Sequence, residues 1–195
     1  MDEVIELHYD RLRLNDDEFY EFCQQNDNLR FEREPNGTIL IISNTGGESG
    51  VRNAEIMFQL MSWNKQAKQG RIFDSSTAFR LPSTAVRSAD AAFVTTTRWQ
   101  ALTDEQRKKF PPLCPDFIVE LRSSTDSIPS LQRKIQNNWL AAGCRLVWLI
   151  DAEAETVYVY RADGSVQILR SFDELLTGED VLPGLSFVLS DLRLS

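Results

Sequence analysis

A single histidine, His8, serves the whole of this 195-residue chain. Serine and cysteine hydrolases of the triad type, HExxH metalloproteases and histidine-rich zinc sites all need imidazoles that such a sequence cannot supply. Any catalysis therefore falls to carboxylates and cationic side chains. Cysteine is scarce as well: Cys23, Cys114 and Cys144 are far apart and outside any CxxC pair, so neither a structural zinc nor a disulfide framework is indicated. Reduced, mostly buried thiols are expected. No apolar run approaches the roughly 20 residues that span a bilayer. The N-terminal MDEVIELHYD has neither the basic region nor the apolar segment of a signal peptide, so no membrane association and a cytoplasmic location are expected. No repeat, low-complexity tract or Pro/Ser-rich linker interrupts the chain, and its length suits one domain over residues 1–195.

Positive charge is also in deficit. With 21 Lys and Arg against 29 Asp and Glu the net charge is −8, which counts against a generic nucleic-acid binder, since phosphate contacts come chiefly from a basic face. A metal-dependent nuclease escapes this objection. Its site needs several acids, and net charge does not say where the remaining cations cluster.

What is present is an ordered series of elements. Asn15 precedes DDEFYEFCQQN, acidic in its first turn and with Phe19, Phe22 and Cys23 on one face, a capped helix of about three turns. LRFERE, the turn residues Pro35, Asn36 and Gly37, and TILIIS form a hairpin. TGGESG is a turn, since it lacks the GKS or GKT that completes a phosphate loop, and its Ser49 is placed to cap the next helix. That helix, 50–69, has Ala54, Met57, Phe58, Leu60 and Met61 as its buried stripe and ends at a left-handed Gly70. RIFD, TAFRLP, ADAAFV and DFIVELR are extended, with a short helix opened by a Thr103 to Gln106 capping box before the last of them. A second amphipathic helix, 129–142, turns Leu131, Ile135 and Trp139 inward and stops at Gly143. RLVWLID is a strand buried on both faces, TVYVYR and SVQILRSF form a hairpin across Asp163 and Gly164, and LPGLSFVLSDL is a packed tail. The order predicts an α/β protein with a mixed central sheet flanked by helices, preceded by an N-terminal helix and hairpin.

The chemistry concentrates in PDFIVELR. Strand alternation sends Asp116, Ile118, Glu120 and Arg122 to one side. At about 3.3 Å per residue, Arg122 stands roughly 7 Å from Glu120 and can share its site, whereas Asp116, about 13 Å away, is a strand-entry residue. A second carboxylate must come from a neighbouring strand, and RSADAAFV offers Asp90 at the start of a small apolar run. Mg²⁺ takes hard oxygen ligands, commonly one or two carboxylates with water and substrate phosphate, so Asp90 and Glu120 on adjacent strands would suffice. Set against this, each acid alone reads equally well as an ordinary strand carboxylate, and Trp63, Trp99, Trp139 and Trp148 read as core.

Taken together, ADAAFV, PDFIVELRSSTDS and LQRKIQNNWLAAGCRLVWLID resemble the Uma-type restriction-endonuclease family, abundant in cyanobacteria and placed in the PD-(D/E)XK nuclease superfamily; the similarity runs from about Leu14 through the LPG motif at Leu182 to Gly184. The resemblance implies a restriction-endonuclease-like fold and a Mg²⁺- or Mn²⁺-dependent DNA endonuclease. By the same analogy Asp90 and Glu120 are metal ligands, the Leu121 carbonyl is another, and Glu55 stands for an extra helical acid. Arg122 occupies the usual lysine position and Ala89 that of the proline. A guanidinium stays protonated and cannot act as a base, although it can steady phosphate charge. Lys134, on the following helix, could supply the displaced ammonium. Two rivals remain: a catalytically silent binding or regulatory module of the same fold, and a hydrolase of smaller phosphorylated substrates. A homodimer would cut both strands readily.

Overall fold

The computed structural model describes residues 5–7 and 14–194; His8 lies outside the described residues. Thirteen strands fall into three sheets among those residues. The first sheet, in the order β1-β3-β2-β6-β5, is built from Ile5–Leu7 (β1), Arg30–Arg33 (β2), Ile39–Ile42 (β3), Ala78–Arg80 (β5) and Val86–Ser88 (β6). The second is the central one, in the order β11-β10-β9-β8-β7-β4, from Gly70–Asp74 (β4), Ala91–Thr95 (β7), Phe117–Leu121 (β8), Leu146–Asp151 (β9), Thr156–Arg161 (β10) and Val166–Leu169 (β11). A small third sheet pairs Leu175–Thr177 (β12) with Ser186–Val188 (β13). In the central sheet only β8 and β9 run parallel, which requires a crossover. The crossover is the helix Ile128–Lys134 with its continuation Ile135–Leu140. The mixed α/β architecture expected from the sequence is thus present.

Strand alternation sorts the core into two layers. Phe117 and Val119 of β8, with Trp148 and Ile150 of β9, face the long helix Gly47–Ala67 and the C-terminal segment around Phe187 and Leu192. Ile118, Val147 and Leu149 face the crossover helix through Leu131, Ile135 and Trp139. We label the helices α1 (Asp16–Gln25), α2 (Gly47–Ala67), α3 (Thr96–Gln100), α4 (Asp104–Lys108) and α5 (Ile128–Lys134). The capping boxes at Asn15 with Glu18 and at Thr103 with Gln106 both form.

Four local expectations are corrected. Gly46, not Ser49, is the N-cap of α2, and Ser49 lies inside its first turn. The left-handed cap at the other end is Lys68, with φ 54°. Gly70 instead opens β4, where a Cβ would collide with the Val94 carbonyl, so its glycine serves close packing against β7. The buried stripe of α2 is Ile56 and Leu60, with Met57 and Trp63 beside it, while Ala54, Phe58 and Met61 are exposed. Finally, the second amphipathic helix is α-helical only to Lys134 and then widens to i→i+5 bonding, as in Ala141 N–H to Gln136 O at 3.2 Å and Cys144 N–H to Trp139 O at 2.9 Å.

Candidate active site

Strands β7 and β8 bring the two acids together. Their antiparallel register pairs Ala91 with Val119 and Ala92 with Ile118; Asp90, the residue just before β7, therefore lies beside the end of β8, where Glu120 and Leu121 follow Val119. The pairing is held at its end by the Asp90 N–H, which donates to the Val119 carbonyl at 3.0 Å. The Asp90 carboxylate accepts from the Leu121 N–H at 2.7 Å and from Asn53 Nδ2 at 3.1 Å. Both acids line a cleft of about 1260 Å³ between the first sheet, the N-terminal end of α2 and the crossover helix.

Glu120 is 4% exposed, and two groups from one helix satisfy it. Trp139 Nε1 donates to Oε1 at 2.7 Å, and the Lys134 ammonium stands 3.0 Å from the same oxygen. On an α-helix, residues five apart lie about 140° apart around the axis. The widened turn, whose bonds run i→i+5, brings Lys134 and Trp139 to one face. Burial, and then the nearby charge of Asp90, push the Glu120 carboxyl up to about 7 against the pull of Lys134 and Trp139. Burial also raises Asp90, opposed by the Leu121 N–H, Lys134 and Asn53. The Lys134 ammonium is held above its usual range: the Glu120 and Glu32 charges outweigh its desolvation.

The other expected residues divide. Leu121 lines the cleft beside Asp90. Arg122 lines it too but does not pair with Glu120: β8 ends at Leu121, and the guanidinium bonds Asp151 at 3.0 Å, Glu153 at 3.2 Å and the Asp126 carbonyl at 3.2 Å. The cation on Glu120 is Lys134. Glu55 does not line the cleft; it accepts from Gln59, which in turn clamps Val188. At about 100° per residue, a helix that aims Asn53 at Asp90 turns Glu55 roughly 200° away. Of the cations on the flanking helices, Arg133 lines the cleft, and Lys65 and Lys68 of α2 do not. Asp116 caps the entry to β8, accepting from the Thr95 N–H and Arg98, each at 2.9 Å.

Three contributors escaped the sequence reading. Glu32 of β2 is 3.7 Å from Lys134 and accepts from the Ser88 N–H at 3.0 Å. Arg87, 2% exposed, is 3.6 Å from Glu32 and 2.5 Å from Glu34. Asn53 is the third. In LRFERE both Phe31 and Glu32 are buried, so alternation there carried no signal separating site from core; Asn53 had none but its place on a helix beside the glycine loop.

The donor set fits a hard divalent cation. Asp90 and Glu120 supply carboxylate oxygens whose mutual repulsion such an ion would relieve, and Asn53 Oδ1, beside Asp90, is buried without a hydrogen-bond partner among the described residues. No group of three or more His, Cys, Asp or Glu residues suited to an ion occurs among the described residues. Water and phosphate would therefore complete the shell, as Mg²⁺ accepts.

A pH dependence follows. A carboxyl raised in the folded state takes up a proton on folding, so its contribution is full below its unfolded pKa and is lost as pH rises through the folded one. For Glu120 that window runs from 4.5 to about 7, with Asp90 acting in the same direction. The metal-free protein should lose on the order of 3 kcal/mol of unfolding free energy from this group between pH 5 and pH 8. Urea unfolding at both pH values measures it, and a flat or rising difference between wild type and Glu120→Gln would contradict it.

Comparison with known proteins agrees with this arrangement at the level of fold and family. A family model described as Uma2, "Putative restriction endonuclease", matches residues 16–193. The crystal structure of a "putative nuclease belonging to DUF820" from Anabaena variabilis ATCC 29413 is similar in fold, with TM-score 0.70 at 20% identity, over 83% of this chain and 88% of that one. No curated protein matches.

Proposed function

The chain belongs to the Uma2 family, and from that premise we propose that it is a divalent-metal-dependent DNA endonuclease that hydrolyses phosphodiester bonds in the cleft at Asp90 and Glu120. The observation that carries the reading is the approach of these two acids in one cleft, at the adjoining ends of β7 and β8, beside the Lys134 ammonium. Asp90, Glu120, the Leu121 carbonyl and the Asn53 amide oxygen are the groups that would hold Mg²⁺ or Mn²⁺. Such an ion, when bound, acidifies a coordinated water and offsets charge gathering on the phosphate.

The remaining work falls to the chain's own side chains. Lys134 stays protonated at neutral pH, so it serves as a fixed positive charge facing the phosphate and not as a base. Trp139 fixes the Glu120 carboxylate by its indole N–H, and Asn53 does the same for Asp90. Arg30 and Arg133 line the same cleft and have no ion-pair partner among the described residues, which suits them to flanking phosphates. Arg122 ties the strand end to Asp151 and Glu153, an anchoring role. These cations answer the objection raised by the net charge. No described helix is long and apolar enough to cross a membrane; a cytoplasmic location and a homodimer that cuts both strands complete the proposal.

Supercoiled plasmid incubated with the protein and Mg²⁺ or Mn²⁺ should become nicked and then linear, and a chelator should stop the reaction. A thermal shift with either ion, but no cleavage of duplex or single-stranded DNA, would replace the enzyme by a silent ion-binding module of the same fold.

A further inference from the structure

The long helix α2 is apolar on two faces, one packed on the central sheet and one turned to solvent. A surface helix ordinarily turns charged residues to solvent, yet along the outer face of α2 stand Val51, Ala54, Phe58 and Met61, with Val51 58%, Phe58 65% and Met61 42% exposed. Three of its polar residues bond within the chain instead: Asn53 to Asp90, Gln59 to the backbone of Val188, and Asn64 to Gly70. The spacing of the outer residues, three, four and three, is that of a seam against one further helix. A contiguous apolar face of this kind marks an interaction site.

The pattern along the seam reads the same in both directions. Ala54 and Phe58 lie two residues to either side of Ile56, and Val51 and Met61 lie five to either side. Beyond them, Glu48 and Lys65 lie eight and nine residues out, both exposed and of opposite sign. A second α2 laid antiparallel about a two-fold axis at position 56 would set Phe58 against the small Ala54, Val51 against the adaptable Met61, and Glu48 against Lys65 at both ends. Among the described residues Glu48 has Arg52 as its ion-pair partner, at 3.4 Å, and Lys65 has none. An unrelated partner would have no need of this mirror arrangement, and DNA would find cations at one end only of an apolar surface, with Glu48 at the other.

We propose that the outer face of α2, from Glu48 to Lys65, is a self-complementary interface that pairs two copies of this chain antiparallel through Val51, Ala54, Phe58 and Met61. The inference gives the proposed dimer its surface but does not rest on the nuclease reading. Because α2 has 21 residues, the pairing sets the two clefts, each at an α2 N-terminus, on the order of 30 Å apart.

Sedimentation equilibrium of the full chain tests it against the monomer mass of 22.3 kDa. Wild type should sediment at twice that mass at micromolar concentration, and Phe58→Glu as the monomer with an unchanged far-UV circular dichroism spectrum. Glu48→Lys sets lysine against lysine at both ends and should weaken the dimer about tenfold. Adding Lys65→Glu to that variant should restore it, a readout that stands even where Phe58→Glu fails to fold. A wild-type monomer up to roughly 100 µM, a dimer that Phe58→Glu leaves intact, or charge reversal without rescue would each overturn the interface.

Discussion

Replacement of Glu120 by glutamine is expected to lower plasmid cleavage on the order of 10³-fold, about 4 kcal/mol of transition-state stabilisation, while making the metal-free protein more stable at pH 8. The two effects share one cause. Glutamine keeps the shape of the neutral carboxyl and can still accept from Trp139 Nε1, but it cannot ionise. In wild type, burial and the neighbouring Asp90 push this carboxyl up to about 7, so at pH 8 the folded protein carries a charge that its surroundings disfavour. Removing that charge should raise the unfolding free energy by about 2–3 kcal/mol at pH 8, and the gain should vanish towards pH 5, where Glu120 is already protonated. The ion-dependent thermal shift should disappear together with the activity. A side chain kept at the expense of stability is what a working site looks like. A glutamine variant that still nicks DNA, or that is less stable than wild type at pH 8, would remove Glu120 from the proposed role.

The pairing of Asp90 with Glu120 was legible because strands report their faces with a period of two and because ADAAFV and DFIVELR have the length and composition of neighbouring strands. The mixed character of the central sheet was legible for a related reason: an amphipathic helix separates two strongly apolar runs. Alternation carried one residue beyond Leu121 sets Arg122 beside Glu120, but β8 has already ended there, and the guanidinium answers to Asp151 and Glu153. The three-residue β6 was missed because VRS is too short to show a period.

Helix phase was the harder problem. Two apolar stripes run along α2, one through Ile56 and Leu60 and one through Ala54, Phe58 and Met61. Sequence periodicity says that each needs covering but does not say by what. The fold gives the first stripe to the central sheet, and the same choice carries Asn53 to Asp90 and swings Glu55 away. Nor does a 3.6-residue period foresee a widened turn. Leu131, Ile135 and Trp139 do face the core at helical spacing, yet the convergence of Lys134 and Trp139 on Glu120 depends on i→i+5 bonding that no propensity marks.

That convergence makes Lys134 the residue whose loss should separate folding, ion binding and cleavage most sharply. Lys134→Met keeps most of the side chain's length and apolar stem but deletes the ammonium 3.0 Å from Glu120, 3.7 Å from Glu32 and 3.2 Å from the Ser88 carbonyl. Glu32 retains Arg87; Asp90 and Glu120 lose the charge that most strongly favours their ionised forms, and their carboxyls should move further up. Breaking a buried pair by removing one member leaves an uncompensated charge, which costs about 3–5 kcal/mol. The loss should appear in full at pH 8 and shrink towards pH 5, as protonation neutralises the acids left behind. Divalent cation should reverse it: Mg²⁺ or Mn²⁺ supplies the missing positive charge, so the thermal shift on adding either ion should be larger in Lys134→Met than in wild type. Cleavage should nevertheless fall by about 10²-fold, because the ion restores the charge at the carboxylates but not a second cation facing the phosphate. Thermal unfolding with and without ion, beside single-turnover plasmid cleavage, would measure all three quantities in one variant. Unchanged cleavage would reduce Lys134 to a structural counter-ion, and a smaller ion-induced shift than in wild type would mean that the lysine and the metal do not share the field of Asp90 and Glu120.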